Sequence, residues 1–183
     1  MTTQATPQRK SKSYGVVSEL SCFFNIIPGR AEHLRRASEE ADKDPLRLDT
    51  FERLGTLTEA RLVVFDNGTR LGFFTVFEGA WDKYIEDFVP GVVPALDKVF
   101  RGNVEGWFTR PVAELTVDEI KAVLDAHQVT ASGFVWLHGD HTLKQIRKAL
   151  RVNEAFQQVL DNPAAAQALT NPALKPLLDQ AAD

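Results

Sequence analysis

Apolar and polar residues form their most regular pattern between Thr56 and Phe88, where two strand-like segments flank Asn67-Gly68. Residues 59–66 and 70–77 are rich in Val, Phe and Leu. Because Gly and Asn tolerate the positive φ that a two-residue type I′ turn needs, this pattern predicts a β-hairpin. The aromatic and acidic segment that follows predicts a helix.

Both faces of this hairpin are predicted to be apolar. Pairing Asp66 with Thr69 places Leu62, Val64, Leu71 and Phe73 on one face, and Val63, Phe65, Phe74 and Val76 on the other together with Arg61. A hairpin covered on one side only would alternate apolar with polar residues. A second covering layer is therefore expected.

The neighbouring segments extend the same architecture. Strands are predicted at Leu20–Ile27 and Val104–Thr109, helices at Arg30–Asp42, Ala80–Val89 and Val93–Arg101, and a short helical turn at Thr50–Leu54. Pro28-Gly29, Asp44-Pro45 and Pro90-Gly91 are expected to end or interrupt these elements, since Pro cannot continue a hydrogen-bond ladder. The resulting order β-α-β-β-α-β is that of a ferredoxin-like α+β domain.

Three regions are predicted along the chain: a disordered tail over residues 1–15, the α+β domain over 16–110, and a mainly helical extension over 111–183. In the extension, a capping box of Thr116 and Glu119 begins a helix that runs to His127. A fifth strand is predicted at Ser132–Leu137, the longest helix at Thr142–Asp161, and a broken helical tail after Asn162-Pro163. We predict no internal repeat.

The motifs E-A-R-L-V-V-F-D (59–66), L-G-F-F-T-V-F-E-G (71–79) and W-D-K-Y-I-E-D-F (81–88) follow a first strand that ends in Pro-Gly and an Ala-containing helix. Over about residues 18–110 this succession resembles the dimeric α+β barrel superfamily, closest in pattern to its bacterial peroxidase-like and monooxygenase-like members. The resemblance implies a homodimer whose two sheets pack face to face, which would cover the second apolar face. It also implies a small-ligand site between sheet and helices, with haem or with no cofactor.

Composition restricts the remaining possibilities. The chain has 183 residues and a formal net charge of −4, so nucleic acid is not an expected partner of the whole molecule. A single cysteine, Cys22, excludes an intramolecular disulfide and is compatible with a reducing compartment. No apolar run reaches the roughly 20 residues that span a bilayer, and the N-terminus has no signal-like apolar region, so a cytoplasmic protein without membrane contact is expected.

The pocket that the resemblance implies would hold a small apolar or aromatic ligand. Its expected lining is Phe24, Phe73, Trp81, Tyr84, Phe88 and Trp107. Haem would need an axial donor in such a pocket. His33 on the first helix is the candidate cofactor ligand, and the alternative is a histidine at the solvent edge.

Arg61, Asn25 and Tyr84 are the candidate catalytic residues. A charge on an apolar sheet face needs a partner or an anionic ligand, so Arg61 would either contact substrate or pair with Glu59. Asn25 would orient a substrate or satisfy a neighbouring backbone group, and Tyr84 would act as a donor or pack in the core.

Two further groups of residues are candidates for binding: a pair of histidines that could hold a metal, and a row of basic residues on the longest helix. His138 and His141 could coordinate zinc or iron with Asp140, although Asp140 could equally cap the next helix. Lys144, Arg147, Lys148 and Arg151 form a basic stripe on the longest helix, opposite an inward face of Ile146, Leu150, Phe156 and Leu160. The stripe could dock an acidic partner or simply be solvated.

These features lead to two functional expectations. The first is a small-molecule oxidoreductase, monooxygenase-like or haem-associated, with an apolar pocket between sheet and helices. The alternative is a non-catalytic ligand-binding or protein-interaction module, in which the C-terminal helices would dock the partner.

Overall fold

Four antiparallel strands form one sheet in the computed structural model, which describes residues 11–44 and 46–182 and, for 46–48, the backbone alone. The strands are β1 (Ser13–Tyr14), β2 (Val17–Asn25), β3 (Leu57–Phe65) and β4 (Arg70–Glu78), and their order in the sheet is β1-β2-β4-β3. Helices pack on one face of this sheet, so the fold is mixed α+β, as the hydrophobic pattern predicts.

The hairpin and its register are confirmed. Leu62 lies opposite Phe73 and Val64 opposite Leu71. The Thr69 N–H donates to the Asp66 carbonyl at 3.1 Å, with Asn67 at φ 54° and Gly68 at φ 81°. These are the positive φ values of a type I′ turn, and such a turn fixes the register of both strands.

The helices agree with the predicted segments in position and differ at their ends. They are α1 (Ala31–Asp42), α2 (Leu46–Leu54), α3 (Trp81–Gly91), α4 (Val93–Phe100), α5 (Val117–His127), α6 (Leu143–Leu160), α7 (Ala166–Leu169) and α8 (Lys175–Ala181). The predicted turn at Thr50–Leu54 is thus the second half of a longer helix. Pro90 does not interrupt α3, because the Val92 N–H still donates to the Phe88 carbonyl at 2.8 Å, and the break follows Gly91.

The two other predicted strands are wrong. Val104–Thr109 is reduced to one bridge between Val104 and Ile26, and Gly106 at φ 76° turns the chain away. Ser132–Leu137 has no strand partner, because the outer edge of β2 is already occupied. Along that edge lie β1, then Val129, whose N–H donates to the Ser21 carbonyl at 2.8 Å, then residues 103–105.

Part of the predicted N-terminal tail is ordered. Residues 1–10 lie outside the described residues, but Ser13–Tyr14 form β1, and the Glu19 N–H donates to the Lys12 carbonyl at 3.0 Å. The buried Glu19 carboxylate also accepts the backbone N–H of Lys12 and of Ala131. One side chain therefore joins the N-terminal segment to the loop after α5.

The core fills the space between the sheet and its helices. Residues of β2 and β4 that share one face are buried, because alternation points Leu20, Cys22 and Phe24 toward the helices. The helices contribute Leu34, Tyr84, Ile85, Phe88, Val99, Phe100, Ile120 and Leu124.

The chain divides into two units, Met1–Thr142 and Leu143–Asp183. Helix α5 belongs to the first unit, since Ile120 and Leu124 are buried and the Cys22 thiol contacts the Leu124 carbonyl at 3.6 Å. The division therefore lies after Thr142 and not near residue 110. Among the described helices, none is both long and apolar enough to cross a bilayer.

The second unit contains a nine-residue repeat, so the prediction of no internal repeat is wrong. Residues 153–161, 162–170 and 171–179 read NEAFQQVLD, NPAAAQALT and NPALKPLLD, with Asn, Ala and Leu at the first, third and eighth positions. The Asn162 side chain accepts the Ala164 N–H at 3.0 Å, and the Asn171 side chain accepts the Ala173 N–H at 2.9 Å. Each of these two repeats is therefore a capped helical turn that begins at Asn-Pro.

Candidate functional site

The three candidate catalytic residues lie apart. Tyr84 is buried on α3, where its hydroxyl donates to the Thr75 Oγ1 at 3.1 Å and its ring stacks on Phe77 at 4.0 Å. Burial raises the pKa of the Tyr84 phenol well above its ordinary value. Asn25 and Arg61 are exposed on the other face of the sheet. The structure therefore does not bring the three into one site.

The polar contacts of Asn25 and Arg61 are local. Arg61 pairs with Glu59 at 2.8 Å, and its guanidinium lies 5.4 Å from the Phe74 ring centroid. The Asn25 amide donates to the Glu105 carboxylate at 3.2 Å. Arg61 thus adopts the ion pair that we weighed as its alternative use.

The aromatic residues expected to line a pocket are packed against one another. Phe24 contacts Trp107 with ring centroids 6.1 Å apart, and Phe73 contacts Phe88 at the same separation. Phe100 lies between these pairs, 5.3 Å from Phe24 and 6.1 Å from Phe73. These rings fill the space between sheet and helices, so the space forms a core at this point and not a cavity.

A cavity of about 250 Å³ lies beside this aromatic core, between α1, α2, α4 and β3. Its wall is apolar: Ala37, Ala41, Phe51, Leu62, Val92, Leu96 and Val99. Polar and charged residues also line it: Ser38, Glu40, Asp42, Asp44, Thr50 and Lys98. A largely apolar cavity with a few polar groups is the usual form of a small-molecule site.

Haem does not fit the residues present. Among the described residues, no His, Cys, Met or Tyr lines the cavity, so it offers none of the usual axial donors to haem iron. His33 is exposed on α1, and Phe24, Phe73, Phe88 and Trp107 are occupied in ring-to-ring contacts. Trp81 is half-buried, and its indole N–H has no partner among the described residues.

The remaining histidines do not assemble a metal site. His138 and His141 are both exposed, and His138 packs edge-on against Trp136 at 4.7 Å. No group of three or more His, Cys, Asp or Glu side chains comes together in the part of the chain that the structure describes. His127 stacks on Phe24 at 4.3 Å and contacts the Val123 carbonyl through Nδ1 at 2.8 Å, so it belongs to the core.

The sheet face opposite the helices carries a half-exposed aromatic cluster. Phe23 makes edge-to-face contacts with Phe65 at 6.1 Å and with Phe74 at 5.5 Å. The Arg70 guanidinium lies over both Phe23 and Phe65, at 5.7 and 5.3 Å from their centroids. Val63 on the same face is 42% exposed. We call these residues, with Arg61, the open sheet face.

No family model, curated protein or solved structure gives a significant match to this chain. Its function therefore has to be inferred from its own cavity, surfaces and charges.

The cavity residues were only partly visible in the sequence. Ala37 and Ala41 belong to the inward stripe of the first helix, which the 3.6-residue period identifies. Their small side chains, opposite Leu62 and Phe51, leave the space unfilled. The one sign of a cavity in the sequence is that the inward stripe of the first helix holds Ala where larger residues would fill a core. Because Ala is also common where helices pack closely, this pattern alone could not identify a cavity.

Proposed function

We propose that the protein binds a small apolar or aromatic molecule in the cavity between α1, α2, α4 and β3, as a cytoplasmic homodimer of the dimeric α+β barrel type. The observation that carries this proposal is the cavity of about 250 Å³ with an apolar wall that includes Ala37, Ala41, Leu62 and Val99. The reaction that we propose for this site is oxidation of the bound molecule by O2, as in cofactor-free monooxygenases: one oxygen atom would enter the substrate and the other would leave as water with two hydrogens of the substrate, as when a phenol becomes a quinone.

The chain path supports the ferredoxin-like part of this proposal. In chain order, the elements before the Val104 bridge are β2, the helices α1 and α2, the strands β3 and β4, and the helices α3 and α4; the bridge lies beside β2 at the sheet edge. That is the position a final strand of a βαββαβ unit would occupy. The last strand would then be shortened to one bridge in this chain.

Indole, as a small aromatic probe, tests the cavity by ligand-detected NMR on the full-length protein. Ala41→Leu fills the space and is expected to weaken indole binding by about tenfold or more, since a filled cavity leaves no room for the ring. Ala122→Leu, the same change at an exposed position of α5, is the control and should not alter binding. Equal binding to the two variants, or no binding to the parent protein, would refute the site.

Oxygen uptake with small phenols and quinols tests the reaction separately. Uptake by the parent protein that is lost in Ala41→Leu would support oxidation in the cavity. If the protein binds indole but takes up no oxygen with any of these phenols and quinols, the binding site is supported and the proposed oxidoreductase activity is refuted.

The open sheet face supports the homodimer. Three phenylalanines and Val63 face outward there, and covering apolar side chains stabilises an assembly by about 25 cal/mol for each Å² buried. Glu59 lies at one end of this face opposite Val76, and Arg70 lies at the other end opposite Phe65. If the two-fold axis lies between the two sheets and runs across the strands, it would place the Arg70 of each protomer near the Glu59 end of its partner.

Light scattering on the purified protein at micromolar concentration tests whether this dimer forms. Val63→Asp places a charge in the centre of the face and is expected to give monomers, because an unpaired buried carboxylate opposes association. Val135→Asp makes the same change at a residue that is 67% exposed and lies outside the sheet. A monomeric parent protein, or a Val63→Asp variant that remains dimeric, would rule out this interface.

A further inference from the structure

The second unit, Leu143–Asp183, has no core of its own. Among its described residues none is buried, although α6 alone spans 18 residues. Leu150 and Val152 are 57% and 55% exposed, and Val159 is 43% exposed. The predicted inward face of α6 is thus wrong for Leu150. Because helices in water gain most of their stability by packing an apolar face, this surface is incomplete without a partner.

The apolar side chains of this unit follow its repeat. Positions four and eight of each nine-residue repeat are half-buried, and we call these six residues the repeat strip: Phe156, Leu160, Ala165, Leu169, Leu174 and Leu178. The spacing alternates between four and five residues along the strip. On α6, the strip residues Phe156 and Leu160 share one helix face with the exposed Val152 and Val159, and the four side chains occupy positions i, i+4, i+7 and i+8.

A strong positive charge borders this apolar surface. Lys144, Arg147, Lys148 and Arg151 recur with helical spacing, and none of the four has an ion-pair partner among the described residues. Val152 follows Lys148 by four residues, so the two side chains are neighbours on the helix surface. A partner that covers the exposed Val152 and Val159 must therefore meet Lys148 and the cations beside it at the edge of the contact.

We propose that the second unit docks an acidic amphipathic α-helix of a partner protein. The apolar side of that helix would cover Val152, Phe156 and Val159, and its carboxylates would face the basic stripe at Lys148 and Arg151. A second copy of α6 is disfavoured because it would bring two basic stripes together. Single-stranded nucleic acid would neutralise the stripe and leave Val152 and Val159 exposed. This inference is independent of the cavity in the first unit.

The test uses the full-length protein and a labelled synthetic peptide of 18 residues, the length of α6, in which Leu and Glu are arranged with helical period. Fluorescence anisotropy at physiological salt measures its binding. A peptide of the same composition in scrambled order is expected to bind about tenfold more weakly, because it cannot present an apolar side and an acidic side together. Equal binding of the two peptides would reduce the effect to general charge attraction and overturn the proposal.

Substitutions in the protein locate the contact. The double variant Arg147→Glu/Lys148→Glu is expected to weaken binding of the acidic peptide by about tenfold or more, and a peptide with Lys in place of Glu should restore it. Arg35→Glu/Lys83→Glu, which makes the same charge change at exposed positions of the first unit, should have no effect. Unchanged binding after reversal of the stripe would overturn the proposal.

The apolar half is tested by Val152→Ser/Val159→Ser, which should weaken binding about fivefold or more while the helical circular dichroism is retained. If the helix is lost, Val152→Thr alone replaces this variant, with a smaller weakening expected. Phosphatidylserine vesicles and poly(U) serve as the competing ligands. Tighter binding of either ligand than of the acidic peptide would assign the surface to lipid or to nucleic acid and refute the helix partner.

Discussion

Asp97 is expected to be the most important polar side chain of the first unit for stability. Its carboxylate is nearly buried and accepts the Trp107 indole N–H at 2.9 Å. It also accepts hydrogen bonds from Nε and Nη2 of Arg101. Trp107 in turn packs against Phe100 at 4.9 Å, so this carboxylate holds the loop after α4 against the aromatic core.

Replacing Asp97 by Ala should lower the free energy of unfolding by about 3 kcal/mol, since it leaves a buried indole N–H unsatisfied and a partly buried guanidinium without its partner. Asp97→Asn keeps an acceptor for Trp107 and removes only the charge, so a loss of about 1 kcal/mol is expected. Glu32→Gln is the control, because the Glu32–Arg36 pair is more than half exposed and such pairs contribute roughly 0–1 kcal/mol.

Urea denaturation followed by tryptophan fluorescence measures these losses. All three tryptophans lie within Met1–Thr142, so the signal reports the unfolding of the first unit. A midpoint that falls without a change in the denaturant slope indicates lost stability and not altered compactness. If Asp97→Ala unfolds at the same urea concentration as Glu32→Gln, the assignment of Asp97 as the anchor of Trp107 is wrong.

Three shorter predictions concern separate elements. Burial raises the pKa of Tyr84, so its contribution to stability is present below about pH 10 and is lost as pH rises above that value. In a variant with Tyr14 replaced by Phe, phenolate absorbance should therefore appear only as the protein unfolds. Gly72→Ala would place a Cβ 2.6 Å from the Phe74 ring and should lower the free energy of unfolding, measured by urea denaturation, by about 1–3 kcal/mol. Gly133→Ala places its Cβ in open space and should leave stability nearly unchanged. Asn171→Ala removes a cap and should cost about 1 kcal/mol and lower the helical circular dichroism, while Asn153→Ala, within α6, should leave the signal unchanged or increase it.

Local chemistry made part of this fold predictable. Asn67-Gly68 fixes the hairpin because its two residues alone satisfy the turn geometry. The Thr116–Glu119 capping box is present as predicted, with the Thr116 N–H donating to the Glu119 carboxylate at 2.8 Å. The same hydrogen bond is the main cause of the lowered pKa of Glu119. In each case the determining contacts lie within four residues.

The wrong predictions depend on contacts between distant residues. Whether Ser132–Leu137 could be a strand depended on a free edge of β2, and residues more than a hundred positions apart in sequence compete for that edge. The cavity depends on how Ala41, Leu62 and Val99 meet across three elements. The nine-residue repeat is a different case, because it depends on no distant contact and is present in the sequence itself. It is hard to recognise because Pro, Ala and Phe replace one another at its variable positions.

The cavity and the open sheet face lie on opposite sides of one sheet, and this separation makes the two parts of the proposed function independently testable. Leu62 points into the cavity, and its neighbour Val63 points away from it, as strand alternation requires. Val63→Asp should therefore abolish the dimer without weakening indole binding, and Ala41→Leu should abolish indole binding without changing the dimer. If Val63→Asp also removes indole binding, the cavity is completed by the second protomer, and the ligand site would have to be described as a property of the pair.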